Sequence, residues 1–143
     1  MKPKIIEGNS HADSRGTLFF NNDFDASAIK RIYVIENNNT NFVRGWQGHK
    51  IEQRWFTAVK GSFRIQLIKI DNWDSPSKDM EIYTFIVNDT KQDVLHIPQG
   101  YISSIHSLEE DSKLFVMSDY LFGEIQDEYR FELGYFELKC TAD

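Results

Sequence analysis

The chain has 143 residues, a length that suits one domain (1–143) with a complete hydrophobic core. Hydrophobic residues make up 41% of the sequence and aromatic residues 14%, which excludes an intrinsically disordered chain and favours a β-rich core. The net charge of -6 argues against a nucleic-acid partner, because binding to phosphate backbones needs a field of Lys and Arg.

Cysteine usage and hydropathy predict the compartment. The single Cys140 cannot form an internal disulfide, which is typical of a reducing environment. No apolar run approaches the roughly 18 residues needed to cross a bilayer, and residues 1–7 lack the apolar segment of a signal peptide. We therefore expect a cytoplasmic protein with no membrane partner.

Short apolar runs separated by turn residues recur along the chain, and few segments have the periodicity of an amphipathic helix. The first predicted strand follows a turn at Asp13-Ser14-Arg15-Gly16. The predicted strands are, in order, 17–20, 29–35, 42–46, 53–59, 62–70, 81–87, 93–97, 101–107 and 113–120. Strands at this spacing must close a barrel or stack as a jelly roll, because a flat sheet would leave long exposed edges.

Within this pattern, 62–70 reads as a hairpin strand with one buried face, since Phe63, Ile65 and Leu67 alternate with Arg64, Gln66 and Ile68. Residues 72–79 read as a loop. We expect 123–135 to form a covering loop with a short helical turn. The predicted fold is therefore all-β, a single-domain barrel.

The stretch Arg44-Gly45-Trp46-Gln47-Gly48-His49-Lys50, followed by Gly61-Ser62 and Ile97-Pro98-Gln99-Gly100, resembles the two motifs of a cupin, the double-stranded β-helix or jelly-roll barrel. A metal-binding cupin carries His, His, an acid and a third His at positions that read Gln47, His49, Gln53 and Ser103 here. One imidazole with amides and a hydroxyl does not hold a divalent metal tightly. We therefore predict no metal, which disfavours a metal-dependent dioxygenase.

The chain resembles the metal-independent cupin family of dTDP-4-dehydro-6-deoxyglucose 3,4-ketoisomerases (WxcM-like), and more distantly the dTDP-4-dehydrorhamnose 3,5-epimerases. Beyond the stretches already quoted, the residues that carry the resemblance are Lys30-Arg31-Ile32-Tyr33, Gln53 and Ser118-Asp119-Tyr120. The resemblance implies removal of a proton next to the carbonyl of a 4-keto sugar and its return at a new carbon or on the opposite face. Such a reaction needs a base and an acid.

The ketoisomerase motif carries two histidines, of which only the second is present, as His49. The first position is Gln47, whose amide forms hydrogen bonds but cannot take a proton. Three interpretations stay open: His49 alone supplies the base, the reaction differs, or it has been lost.

Other roles also follow from the resemblance. His49, Tyr33 and Tyr120 are the expected catalytic residues, the phenols acting at the keto oxygen. Arg15 and Arg44 match arginines that contact the nucleotide or its sugar, and a guanidinium suits a diphosphate because it binds two oxygens at once. The remaining expected substrate-binding residues are Trp46, Gln47, Lys50 and Gln53.

We therefore expect a nucleotide-sugar isomerase or epimerase that acts on a dTDP-linked 4-keto-6-deoxyhexose in deoxysugar or polysaccharide biosynthesis. It needs no redox cofactor, and the resemblance implies a homodimer. The alternative is a noncatalytic nucleotide-sugar-binding cupin that lost its base at Gln47.

Overall fold

The computed structural model describes residues 1–137, so Cys140 lies outside the described part of the chain. The regular structure of the described residues is entirely strand, and none of it is a helix able to span a bilayer. The strands are β1 (Lys4–Ile6), β2 (Asn9–Asp13), β3 (Gly16–Phe20), β4 (Arg31–Ile35), β5 (Val43–His49), β6 (Arg54–Lys60), β7 (Ser62–Lys69), β8 (Tyr83–Asn88), β9 (Val94–Ile97), β10 (Tyr101–Ser107), β11 (Lys113–Ser118) and β12 (Tyr129–Arg130).

Two five-stranded antiparallel sheets form the body of the fold, with strand orders β1-β9-β6-β11-β4 and β12-β5-β10-β7-β8. Their inner faces share one hydrophobic core, to which the first sheet contributes Phe56 and Val116 and the second contributes Ile65 and Leu67. The chain passes repeatedly from one sheet to the other, as in a jelly roll. The predicted all-β jelly-roll architecture is confirmed.

A second hydrophobic cluster lies on the outer face of the second sheet, where Trp46, Ile68 and Ile102 pack against Phe136. The predicted single buried face of 62–70 is wrong at Ile68, which the alternation places on the opposite face but whose side chain is completely buried beneath the C-terminal segment. The expected helical turn in 123–135 is also wrong, because this stretch consists of turns and the short strand β12. Strand β12 pairs with β5 and so fixes the covering segment beside the motif.

Three strands were not predicted: β1, β2 and β12. The five residues of β2 are all exposed and lack any apolar alternation that would signal a strand. This strand forms a separate hairpin with β3, closed by the predicted turn at Gly16, whose φ of 138° favours glycine. The hairpin contributes no residue to the hydrophobic core of residues 1–137.

Candidate active site

The two sheets enclose a partly open cavity, which we call the barrel cavity. Its apolar wall consists of core side chains such as Ile35, Phe56 and Ile97. Its polar side chains come from β4, β5, β6, β10 and the turn after β5, and they are Tyr33, Arg44, Gln47, His49, Glu52, Arg54, Tyr101 and Ser103. Polar groups that converge beside an apolar wall are typical of a small-ligand site.

Strand β5 delivers the two motif side chains to this cavity. Gln47 and His49 are two residues apart and therefore face the same side of the sheet, whereas Trp46 faces the other. Gly48 between them lies against β10, where an added Cβ would meet the Tyr101 carbonyl oxygen and approach Ile102 Cα to 2.5 Å. The glycine thus permits the close pairing that brings β5 up to β10.

The imidazole of His49 has a defined tautomer. Its Nδ1 lies 2.9 Å from the backbone carbonyl oxygen of Asp127, which can only accept a hydrogen bond, so Nδ1 carries the proton. In the neutral ring Nε2 is then the nitrogen with a free lone pair. Burial, together with the positive charge of Arg54, lowers the pKa of His49 below its usual value. The ring is therefore neutral and basic at neutral pH.

Asp127 also fixes the turn that follows β5. Its carboxylate accepts backbone N–H bonds from Lys50 at 3.0 Å, from Ile51 at 2.8 Å and from Glu52 at 2.8 Å. The side chain is almost completely buried. The covering segment and the turn that follows His49 are thus tied together through both the backbone and the side chain of one residue.

A buried polar network lies beside the imidazole. Arg54 Nη1 donates to Glu52 Oε1 at 2.7 Å and to Ser118 Oγ at 2.6 Å, and Ser118 in turn donates to Glu52 at 2.9 Å. Burial raises the pKa of Glu52, but the bonds from Arg54 and Ser118 outweigh this effect and the net shift is downward. Glu52 Oε2 is 3.6 Å from His49 Nδ1, close enough to stabilise an imidazolium formed during proton transfer.

Gln47 and Tyr33 occupy other parts of the cavity wall. The Gln47 amide donates to Glu128, which also accepts from Arg130 at 3.3 Å. Tyr33 is stacked under the guanidinium of Arg31, whose carbon lies 4.5 Å from the ring centre. This cation–π contact orients the ring of a side chain that lines the cavity.

The ligand atoms of His49, Glu52 and Asp127 lie within 4.8 Å of one another, a spacing compatible with a metal ion. Most of these donor atoms already make hydrogen bonds: the His49 Nδ1–H donates to the Asp127 carbonyl, Glu52 Oε1 accepts from Arg54, and both carboxylate oxygens of Asp127 accept backbone N–H bonds. The neighbouring guanidinium also repels a cation. The donor set therefore fits a hydrogen-bonded network better than a metal centre.

A known protein family matches nearly the whole chain. Residues 1–138 fit the family model FdtA: WxcM-like, C-terminal. The chain belongs to this family. The resemblance inferred from the motifs is therefore confirmed, while no curated protein matches the chain significantly.

Solved structures share the fold of this WxcM-like chain. QdtA, a sugar 3,4-ketoisomerase from Thermoanaerobacterium thermosaccharolyticum in complex with TDP, is 23% identical, with a TM-score of 0.70 over 94% of this chain and 91% of its own. WlaRB, a TDP-quinovose 3,4-ketoisomerase from Campylobacter jejuni, is 24% identical, with a TM-score of 0.66 over 90% and 92%. The dTDP-4-dehydrorhamnose 3,5-epimerase of Bacillus anthracis is 13% identical, with a TM-score of 0.70 over 87% and 76%. At these identities the likeness establishes the cupin fold.

Several residues predicted to form the site come together in the WxcM-like chain. Tyr33, Arg44, Gln47 and His49 all line the barrel cavity. Lys50 and Gln53 instead line a neighbouring surface groove, together with Lys69 and Trp73. Among the described residues, Pro98 is the only one that lines both this groove and the barrel cavity.

Gln53 is fully engaged in that position. Its backbone and side-chain amides bond Asp119 at 2.8 and 3.3 Å, and its Oε1 lies 2.7 Å from His96 Nε2. The amide links two strands and is committed to protein partners, so a substrate contact would require it to break these bonds.

The structure does not place the other three predicted residues at the cavity. Trp46 is 2% exposed and packs edge-on against Phe136 on the outer face of the sheet. Strand β11 ends at Ser118 and does not extend to residue 120 as predicted. Tyr120 therefore lies beyond the strand and does not line the cavity. Arg15 lies in the β2–β3 turn, ion-paired with Asp13 at 2.7 Å and with 88% of its side chain exposed.

Sequence reasoning missed Glu52, Arg54 and Asp127. The sequence did contain a signal for Glu52 and Arg54: they are charged residues between the motif and the apolar run of β6, where charged side chains are seldom buried without a partner. Asp127 had none, because its partners are some 75 residues away in sequence.

Proposed function

We propose that this protein is a nucleotide-sugar isomerase or epimerase acting on a dTDP-linked 4-keto-6-deoxyhexose, in the manner of a 3,4-ketoisomerase. The observation that carries the proposal is the tautomer of His49, a side chain that lines the cavity: its Nδ1–H is committed to the Asp127 carbonyl, so Nε2 is the basic nitrogen. A neutral, buried imidazole is suited to taking a proton from carbon.

The chemistry requires one base and one group at the sugar oxygen. His49 removes the proton from the carbon next to the carbonyl, the C–H electron pair forms a C=C bond, and the carbonyl pair moves onto oxygen. Tyr33 gives its proton to that oxygen. In the return half of the reaction, the hydroxyl on the carbon that lost its proton gives a proton back to the Tyr33 phenolate, and its O–H electron pair forms the new C=O bond. The C=C pair then takes the proton held by His49 onto the former carbonyl carbon. Atoms and electrons balance within the sugar, so no redox cofactor is required.

Arg44 and Gln47 are assigned to binding in this proposal. Arg44 is exposed on β5 and lines the cavity, where its guanidinium can hold the diphosphate. Gln47 is held by Glu128 and orients the sugar through hydrogen bonds. The substrate class is supported by the fold of QdtA, a mutant of which was crystallised in complex with TDP-4-keto-6-deoxyglucose.

The test is to incubate the protein with dTDP-4-keto-6-deoxyglucose in deuterated water and to follow the sugar by NMR. Deuterium incorporation next to the carbonyl, or formation of the 3-keto isomer, is expected for the wild type and not for His49→Gln. His11→Gln, an exposed histidine change in the β2–β3 hairpin, is the matched control and should behave as wild type. A wild-type protein that binds the sugar nucleotide without exchange would reject the enzyme for this substrate.

A second candidate function is a noncatalytic nucleotide-sugar-binding module. The observation that favours it is Gln47, which stands where the family motif has a histidine and is bonded to Glu128. In that case Gln47→His is expected to create exchange in a protein that otherwise only binds. If Gln47→His merely preserves or lowers a wild-type rate, the binding-module alternative is rejected.

The homodimer implied by the family resemblance remains part of the proposal. Apolar side chains stay exposed on the β2–β3 hairpin and on the edge strand β4: Leu18, Phe19, Ile32 and Val34. A dimer that covered them would remove apolar surface from water. Light scattering coupled to gel filtration distinguishes a monomer of 16.8 kDa from a dimer.

A further inference from the structure

Arg54 occupies an unusual position for an arginine. It is the first residue of β6, pairs with Ile97 of β9 and Ser118 of β11, and is only 7% exposed. Arginine is seldom buried to this extent without a specific partner or task. Its side chain reaches the barrel cavity, whose wall it shares with Phe56 and His49.

The guanidinium also borders a second space, the loop groove, which lies between the barrel and residues 121–129. His49, Glu52 and Arg54 line both the barrel cavity and the loop groove. These three side chains therefore form the wall between the two spaces. A ligand in the barrel cavity that contacts His49 is next to the guanidinium as well.

The hydrogen bonding of Arg54 is one-sided. Both of its side-chain bonds to described residues leave from Nη1, to Glu52 and Ser118. Its Nε–H is buried and has no partner among residues 1–137. The bonds to Glu52 and Ser118 use only Nη1, so the guanidinium of this cavity-lining side chain keeps further N–H donors for an acceptor oxygen brought by a ligand.

We propose that Arg54 is a catalytic residue that binds the carbonyl oxygen of the substrate and stabilises the negative charge that develops there. The inference rests on the proposed function of the barrel cavity. Glu52 and Ser118 act as positioning residues, since their bonds to Nη1 hold the guanidinium rigid. A fixed positive group at a developing oxyanion is among the largest contributions to catalysis of this kind.

Arg54 completes the proton transfer without a further reactant. As His49 Nε2 takes the proton, the C–H pair becomes the C=C bond and the carbonyl pair becomes an oxyanion held by Arg54. Tyr33 then supplies the proton to that oxygen. Arg54 keeps its own protons throughout, because a guanidinium does not deprotonate at neutral pH.

The pKa of His49 also reflects the proximity of Arg54. After burial, the charge of Arg54 is the largest influence that lowers the pKa of His49. The guanidinium thus keeps the imidazole neutral before the reaction and offsets the negative charge formed during it.

The alternative is that Arg54 only forms a structural ion pair with Glu52. Two variants, Arg54→Gln and Arg54→Lys, separate the two roles in the deuterium-exchange assay, with TDP affinity and thermal unfolding measured in parallel. If Arg54 binds the oxyanion, exchange falls about 100-fold or more in Arg54→Gln while TDP affinity is unchanged. Arg54→Lys keeps the charge but not the fork, and is expected to retain an intermediate rate.

Guanidinium rescue gives an independent readout. Adding millimolar guanidinium to Arg54→Ala should restore part of the exchange rate, and the same concentration of urea, a neutral control of the same shape, should not. Exchange close to the wild-type rate in both Arg54→Gln and Arg54→Lys, or no rescue together with loss of TDP binding, would overturn the assignment. If the wild type itself gives no exchange, the proposed enzymatic function fails first, and the role of Arg54 fails with it. Should Arg54→Gln not fold, Arg54→Lys and the rescue experiment decide the question.

Discussion

His49 and Asp127 are joined across 78 positions of sequence by a 2.9 Å hydrogen bond from the imidazole Nδ1 to a backbone carbonyl. The bond fixes the ring's tautomer, while the carboxylate of the same aspartate holds the turn that follows the histidine. The position of the His49 imidazole therefore depends on the covering segment. This dependence makes Asp127 the first residue to test.

Replacing Asp127 with Ala should lower the free energy of unfolding by about 3 kcal/mol, because three backbone N–H groups lose a charged acceptor in a buried setting. Asp127→Asn retains one acceptor oxygen and should have an intermediate effect. Urea unfolding at constant m-value measures both changes. Asp23→Ala, at an exposed aspartate, should stay within about 0.5 kcal/mol of wild type, and an equal loss in the two alanine variants would contradict the role of Asp127.

The activity should depend on pH through His49. Since burial and Arg54 lower the pKa of this histidine below 6.5, the base is neutral over the neutral range, and kcat/KM is expected to fall only as the pH drops through that lowered value. The free energy of unfolding is expected to decrease in the same direction of pH as kcat/KM. A depressed folded-state pKa means that stability is complete above the unfolded pKa and is lost as the pH falls through the folded one.

Glu52→Gln provides the companion measurement. The carboxylate of Glu52 raises the pKa of His49 in opposition to burial, so its removal should move the acid limb of the kcat/KM profile to lower pH. A limb that moves to higher pH, or an NMR titration that places the His49 pKa above 6.5, would contradict this electrostatic account.

Features set by local sequence were predicted correctly, whereas features set by distant segments were not. The apolar alternation of 62–70 and the Gln47-Gly48-His49 spacing are local properties, and both were read correctly from the sequence except at Ile68, which is covered by Phe136. Trp46 was misplaced for the same reason. An exposed outer face and a face covered by a distant segment have the same local pattern, so sequence alone cannot distinguish them.

The network around His49 could not be predicted for a related reason. Glu52, Arg54 and Ser118 meet because β6 and β11 are paired. Asp127 lies on the covering segment, two residues before β12. Contacts of this kind are set by strand pairing across the barrel.

Chelation should leave the protein unchanged. Glu52 Oε1 and both carboxylate oxygens of Asp127 accept hydrogen bonds from Arg54 and the backbone, so a divalent ion would have to displace these bonds and to lie beside the Arg54 guanidinium. We expect less than about 0.1 equivalent of metal by elemental analysis and no effect of EDTA on exchange or unfolding. A stoichiometric metal whose removal lowers activity would show that the three ligands bind an ion after all.

Nucleotide affinity should distinguish Arg44 from Arg15. Arg44 lines the barrel cavity, whereas Arg15 is paired with Asp13 in the exposed hairpin. Arg44→Gln is expected to weaken TDP binding about tenfold or more, the loss of a charged contact to the diphosphate. Arg15→Gln is the matched control and should change the dissociation constant less than about twofold, as measured by calorimetry. A larger loss of TDP affinity in Arg15→Gln would show that Arg15 contributes to nucleotide binding.

Two glycines of the motif should respond differently to the same substitution. In Gly48→Ala the new methyl group meets the Tyr101 carbonyl and approaches Ile102 Cα to 2.5 Å, so β5 must move away from β10. We expect the free energy of unfolding to fall by about 2 kcal/mol or more, with a concurrent loss of exchange activity as His49 is displaced. In Gly45→Ala the nearest neighbour is Leu133 Cδ1 at 3.5 Å, an ordinary contact, so stability should remain within about 0.5 kcal/mol of wild type. Equal unfolding midpoints for the two variants would mean that the close pairing of β5 and β10 does not constrain position 48.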